Sequence, residues 1–278
     1  MAKAEVPLGK VLRQEAMLAV ERMTFAQIDL AEMMLTAKVD GKLTRRYGEP
    51  GSYAYETERG RFPMITIAQD EHEFAGAANT RDPQNSEIPL LPYFANLRGG
   101  SKENYQLMAR AIIDREIPFN FDYITGIPST GPKIGRELAE LLGMPYFEVL
   151  EKAGEGTDRR FNLRIFKPTE PQPKKGETAL LVDDLITRKK TKDEAEGVML
   201  EAGLEVAGHA VVYDREEGGV DEMREEDRRI VAAVTARQIF AVALLTDRVT
   251  EDVCEKIVSG IKRGKCKENG TGNPLKKD

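Results

Sequence analysis

The run Thr178-Ala179-Leu180-Leu181-Val182-Asp183-Asp184-Leu185-Ile186-Thr187-Arg188-Lys189-Lys190-Thr191 begins apolar and ends in three consecutive cations before a final threonine. A continuous apolar stretch such as Thr178 to Val182 fits a strand covered on both faces of a parallel sheet. Two adjacent carboxylates end that strand, and a hydroxyl-rich, basic turn leads into a helix that starts at Thr191 and runs to Ala202, closed by Gly203. Carboxylates accept hydrogen bonds from vicinal hydroxyls such as those of a ribose. The free N–H groups and positive dipole end of a helix suit a phosphate. One segment therefore carries the chemistry to hold both ends of a ribose phosphate.

On either side of this run, strand, loop and helix alternate. Ser101 caps a helix through Arg115, with Tyr105, Met108, Ile112 and Ile113 on its apolar face. Phe121 to Gly126 reads as a short strand, Ile127 to Pro132 as a loop, and Lys133 to Leu142 as a helix ended by Gly143. Met144 to Leu150 reads as the next strand. Glu151 to Glu177 is polar, basic and too long for an ordinary connection, so it is read as a mobile loop or arm. Glu205 to Tyr213 and Ile230 to Val234 complete the strands. This β-α-β order predicts a parallel α/β sheet, with ligands bound beyond the carboxyl ends of its strands. Nearer the N-terminus, residues 10–37 show helical spacing with Thr24 as a cap for a second segment. Residues 38–91 read as an irregular insertion with a hairpin, containing the strand-like run Phe62 to Ile67. The expected organisation is residues 1–100 as N-terminal helices, insertion and hood, 101–261 as the core, and 262–278 as a disordered tail.

The chain has 278 residues, 41% of them hydrophobic, enough for a sizeable core. With 41 Lys+Arg against 47 Asp+Glu, the net charge of −6 argues against a nucleic-acid partner. Cys254 and Cys266 lack metal-ligand spacing, and with two histidines, His72 and His209, a multi-histidine metal centre is not expected. His209 reads as a core or interface histidine, His72 as a surface one, and Cys254 as packing. No apolar run has the length of a membrane span, and the first residues lack a signal-peptide core, so a cytoplasmic protein with no membrane partner is expected.

Leu180 to Thr191 resembles the phosphoribosyl pyrophosphate signature of type I phosphoribosyltransferases. Further segments resemble the orotate branch of that family. Pro92-Tyr93-Phe94-Ala95-Asn96-Leu97-Arg98 looks like the segment covering the pyrimidine ring, and Asp214-Arg215-Glu216-Glu217-Gly218-Gly219 like the motif whose arginine faces orotate. Gly126 to Gly131 stands where the family has its pyrophosphate loop, and Glu151-Lys152 where a lysine opens the mobile catalytic loop. The matches fall in family order over residues 91–246.

The resemblance implies a type I phosphoribosyltransferase core and an orotate phosphoribosyltransferase activity, giving orotidine 5′-monophosphate and pyrophosphate in pyrimidine (UMP) synthesis. It implies Asp183, Asp184 and Lys152 as catalytic residues. Thr187, Arg188, Lys189, Lys190, Thr191, Ser129, Thr130 and Gly131 would bind phosphoribosyl pyrophosphate, and Tyr93, Phe94 and Arg215 would bind orotate. Arg159, Arg160 and Arg164 are further loop candidates, reaching across a homodimer. Lys38 and Lys42 are candidates for a substrate-side lysine. Magnesium would be held mainly by the substrate rather than by protein ligands. Where the family usually has glycines after the threonine, this turn reads Arg188-Lys189-Lys190; three cations suit a phosphate, but by a different backbone path. The alternatives are transfer to another base, or a non-catalytic sensor of a nucleotide or phosphoribosyl pyrophosphate on the same fold.

Overall fold

The computed structural model describes residues 8–47, 54–67, 74–76, 93–154 and 160–266. The chain enters through α1 (Leu8–Val20) and α2 (Phe25–Thr36). They separate at Thr24, whose hydroxyl accepts from the Gln27 N–H while the Gln27 side chain accepts from the Thr24 N–H. Gln27 is itself buried, and its amide nitrogen donates to the Ala233 carbonyl at 2.7 Å, tying the helix start to the sheet.

The segment read as irregular contains more pairing than expected. β1 (Lys38–Tyr47) and β2 (Ala54–Pro63) form an antiparallel hairpin with Lys38 opposite Pro63. The Phe62 to Ile67 run is not one strand. β2 ends at Pro63, Met64 donates its N–H to Ala37 and buries its side chain, and β3 (Ile65–Ile67) then pairs elsewhere. β4 (Phe74–Gly76) lies along β1, and β5 (Tyr93–Ala95) is the partner of β3. His72 and Pro92 lie outside the described residues.

Next comes α3 (Lys102–Ile113), capped by Ser101 and Asn104, then β6 (Tyr123–Gly126) and α4 (Gly131–Leu142), which starts before Lys133 with Pro132 in its first turn. Gly143 ends α4 with φ 63°. Of Met144 to Leu150, read as a strand, only Leu150 is in one. Pro145 has no N–H to donate, the Val149 N–H goes to Thr125 Oγ1, and the segment touches β6 through one parallel bridge at Tyr146. The stretch read as an arm carries an antiparallel pair, β7 (Leu150–Ala153) and β8 (Arg160–Leu163), with residues 155–159, Arg159 among them, outside the described residues.

The remaining elements are β9 (Thr178–Ile186), α5 (Lys190–Glu201), β10 (Glu205–Asp214), α6 (Gly219–Glu225), β11 (Ile230–Thr235), α7 (Ala236–Leu245) and α8 (Glu251–Cys266). α8 continues past residue 262, so the first residues of the expected disordered tail are helical; 267–278 lie outside the described residues. The four sheet strands run parallel in the order β11-β10-β9-β6. One core, from Ala16 on α1 to Ile257 on α8, covers one face of the sheet, and a second, with Leu181, Ala195 and Met199, fills the space under α5. The N-terminal helices thus share a core with the sheet.

β9 does not stop at the acid pair. On the β10 side the pairing continues, with Asp183 opposite Val211 and Leu185 opposite Tyr213; on the β6 side it ends at Gly126 opposite Val182. Apolar composition marks where both faces are covered, whereas hydrogen bonds to one neighbour suffice to keep a strand extended. The chain leaving β6 goes to one side, towards Tyr146, while β9 lies on the other. That reversal opens a crevice between the ends of β6 and β9.

Candidate active site

A cleft of about 540 Å³ occupies that crevice. Its floor is the acid pair. Successive strand side chains point to opposite faces, so Asp183 turns towards α5 and is buried, while Asp184 lies on the other face, half-buried. Asp183 Oδ1 accepts the Asp184 N–H at 2.8 Å, and Asp183 Oδ2 lies 2.6 Å from the Lys192 ammonium. Burial, with the charge on Asp183 next, raises the Asp184 carboxyl to about 7, against the opposing pull of Lys192 and Arg98.

One wall is the loop after β6, where Ser129 is exposed and Thr130 buried. Gly131 lies behind it, outside the cleft lining. Its role is spatial: a Cβ there would sit 2.3 Å from the Val182 carbonyl oxygen, and one on Gly126 would sit 2.3 Å from Gly131 C. The loop approaches β9 this closely only because both positions are glycine. The opposite wall is the turn after β9, where Thr187, Arg188, Lys190 and Thr191 line the cleft. Lys189 does not; its ammonium binds Glu226, and its N–H donates to Glu222 Oε2 at 3.2 Å. Arg188 also reaches Glu222, at 3.1 Å.

Two helices start at this cleft, α4 at Thr130 and α5 at Lys189; neither N-cap residue caps its helix with its own side chain, and at α5 the Lys189 N–H is taken by Glu222. α2, α3 and α7 each carry a full capping box. The positive dipole ends of both helices thus face the cleft, which suits an anion.

The third wall joins the segment after β5 to the loop after β10. Phe94 lines the cleft, but Tyr93 does not, a correction to its expected ligand contact: alternation along β5 turns it into the core, where its hydroxyl accepts from the Tyr213 hydroxyl at 3.1 Å. Tyr93 instead supports Arg215, whose guanidinium lies 5.4 Å from the Tyr93 ring centre and whose Nε is 2.8 Å from Glu217 Oε1.

Lys152 is exposed on β7, outside the cleft lining. Arg164 is engaged by Glu170 at 2.5 Å and stacks on Phe166, and Arg160 is exposed. His209 is buried away from the cleft, 3.2 Å from Glu196, with burial lowering its pKa; Cys254 is buried on α8. Sequence reasoning missed Lys192 and Asp40 and took Asn96 and Arg98 only as part of the segment from Pro92 to Arg98; all four line the cleft. Lys192 left a signal: it shares a helical stripe with Ala195 and Met199, so a charged residue falls on the buried face of α5.

No family model matches the chain. Over 180 residues it is 26% identical to the orotate phosphoribosyltransferase of Sulfurisphaera tokodaii, covering 62% of this chain and 87% of that protein. Over 141 residues it is 30% identical to the orotate phosphoribosyltransferase of Pyrococcus furiosus, covering 50% of this chain and 73% of that protein. The fold resembles that of the UMP synthase of Leishmania donovani, with a TM-score of 0.59 at 17% identity, covering 86% of this chain and 42% of that one.

Proposed function

The chain belongs to the orotate phosphoribosyltransferase family and is a phosphoribosyltransferase, and we propose that it joins orotate to phosphoribosyl pyrophosphate. In this reaction orotate N1 gives up its proton and bonds to C1 of the ribose, the C1–O bond breaks with its electron pair leaving on pyrophosphate, the proton passes to pyrophosphate or solvent, and orotidine 5′-monophosphate and pyrophosphate leave. The observation that carries the reading is the acid pair of β9 opening, within one cleft, onto the start of α5 and facing Arg215.

Asp183 and Asp184 receive the ribose hydroxyls and favour positive charge developing at C1. Thr187, Arg188, Lys190 and Thr191, with the amides of the α5 start, hold the 5′-phosphate. Ser129 and Thr130 face the pyrophosphate. Phe94 covers the pyrimidine ring, and Arg215, braced from below by Tyr93, meets the orotate carboxylate. Rate enhancement comes from positioning and electrostatics, since the bond changes occur within the two substrates.

Magnesium fits as a companion of the pyrophosphate. Asp184 offers a hard oxygen donor, whereas Asp183 is engaged by an ammonium, and no cluster of three metal-binding side chains exists among the described residues. When bound with substrate, the ion neutralises charge on the departing pyrophosphate. The same reading includes a cytoplasmic homodimer, supported by the resemblance alone; among the described residues no helix is long and apolar enough to cross a membrane.

The test is pyrophosphate release with orotate, adenine, hypoxanthine and uracil, each with phosphoribosyl pyrophosphate and magnesium. Orotate alone should support turnover. Release with a purine but not with orotate overturns the substrate assignment.

A further inference from the structure

α5 turns its start towards the cleft, yet its apolar anchors lie further along. The fully buried apolar side chains of α5 are Ala195 and Met199, and neither is in its first turn. Asp193 and Glu196, three residues apart, share a face of the helix. Both carboxylates meet one guanidinium: Arg228 Nη1 donates to Asp193 Oδ1, and Arg228 Nη2 to Glu196 Oε2. The fork thus spans one turn of α5. The Arg228 side chain is 18% exposed and that of Glu196 19%, so solvent screens this pair less than it screens an ordinary surface pair.

The base of Arg228 is rigid. It lies between α6 and β11, where its N–H donates to the carbonyl of the buried Met223 at 2.9 Å. The carbonyl of the next residue, Arg229, accepts the His209 N–H of β10 at 2.8 Å. Glu226, two residues before Arg228, takes the Lys189 ammonium and lies 3.5 Å from Arg228 Nη1. The segment from Glu226 to Arg228 therefore grips α5 at its N-cap, in its first turn and one turn further on.

We propose that Arg228 is a positioning residue for the phosphoribosyl donor. Through Asp193 and Glu196 it sets where the start of α5, with Lys190, Thr191 and their amides, stands against the 5′-phosphate. This rests on the phosphoribosyl reading of the cleft and deepens it. Neither Arg228 nor either of its two partners on α5 lines the cleft, so it acts through the helix and not on the ligand. The loop after β6, which faces the pyrophosphate, is held by other contacts, the close approach of Gly126 and Gly131 beside β9. Loosening α5 therefore acts at the sugar-phosphate end of the donor.

The experiment is calorimetric titration of the full chain with phosphoribosyl pyrophosphate and magnesium, and separately with magnesium pyrophosphate. The proteins are the wild type, Arg228→Gln, Arg228→Lys and Asp193→Asn. Arg228→Gln should weaken phosphoribosyl pyrophosphate about tenfold and leave pyrophosphate within about twofold. Arg228→Lys keeps the charge but loses the fork, so its loss should be about threefold. Where Arg228→Gln lacks a cooperative melting transition, Asp193→Asn takes its place; it leaves the Glu196 bond intact, and a loss of about threefold is expected. Unchanged affinity for phosphoribosyl pyrophosphate in any variant that melts cooperatively overturns the proposal, as does equal weakening of both ligands. Wild-type binding of phosphoribosyl pyrophosphate without pyrophosphate release from any base overturns the transferase reading and leaves these titrations to judge Arg228. No wild-type binding of phosphoribosyl pyrophosphate overturns both.

Discussion

Replacing Asp184 by asparagine should stabilise the protein in mildly alkaline solution, by an amount that depends on pH. Burial and the neighbouring Asp183 raise the Asp184 carboxyl to about 7 in the folded chain, whereas an unfolded aspartate titrates near ~3.9. From roughly pH 4 to 7 the folded form therefore holds more protons than the unfolded one, and stability falls as pH rises, by about 1.4 kcal/mol per unit for a full proton difference. Three units of separation set a ceiling of about 4 kcal/mol, and because the carboxylate opens to the cleft, solvent screening reduces this to about 2 kcal/mol. Asp184→Asn removes the group. Urea unfolding should give the variant an advantage of about 2 kcal/mol at pH 8, shrinking as pH falls through 7 towards 4. A gap that stays constant across that range, or a variant less stable at pH 8, refutes the reasoning. The same substitution should weaken binding of phosphoribosyl pyrophosphate. On the proposed reading, the charged form that engages the ligand is the form that strains the fold.

Gly131→Ala places a methyl 2.3 Å from the Val182 carbonyl oxygen with backbone on both sides; it should cost about 2–4 kcal/mol in urea unfolding, and a cost below half a kcal/mol would show that the loop gives way. Gln27→Leu removes the partner of the Thr24 N–H and of the buried Ala233 carbonyl; a loss of about 2–3 kcal/mol is expected from the missing box and the orphaned acceptor, read from the denaturation midpoint. Arg215→Lys keeps the charge but loses the planar fork, so KM for orotate should rise about tenfold or more with little change for phosphoribosyl pyrophosphate; equal rises for both substrates would remove Arg215 from the base side.

The parallel core was legible because burial on two faces leaves an unmistakable apolar run, and β9, β10 and β11 each show one. The acid pair was legible because charge at the end of such a run has nowhere to hide. The hairpin of β1 and β2 was not: Lys-Val-Asp-Gly-Lys-Leu-Thr-Arg-Arg-Tyr, residues 38–47, carries apolar side chains only at every fourth position, Val39, Leu43 and Tyr47, too sparse for a strand pattern to stand out. Tyr93 and Phe94 show a different limit. Two adjacent aromatics on a strand cannot both face one ligand, but which one faces inward is set by what lies above and below β5, and that is tertiary information. Asp40 entered the cleft from the segment that reads as irregular, for the same reason.

The turn after β9 is held by Glu222 of α6 and by Glu226 just past its end, and α6 follows directly on the loop carrying Arg215. Two backbone bonds complete the coupling, Arg215 N–H to the Ile186 carbonyl at 3.1 Å and Gly219 N–H to the Thr187 carbonyl at 3.1 Å. On the proposed reading, the two halves of the ligand rest on a single yoke. A bulkier heterocycle that pushes Arg215 outward also tugs on the grip at the far end of the sugar, so discrimination among bases can be registered as a loosened hold on the donor, well away from any atom that differs between them.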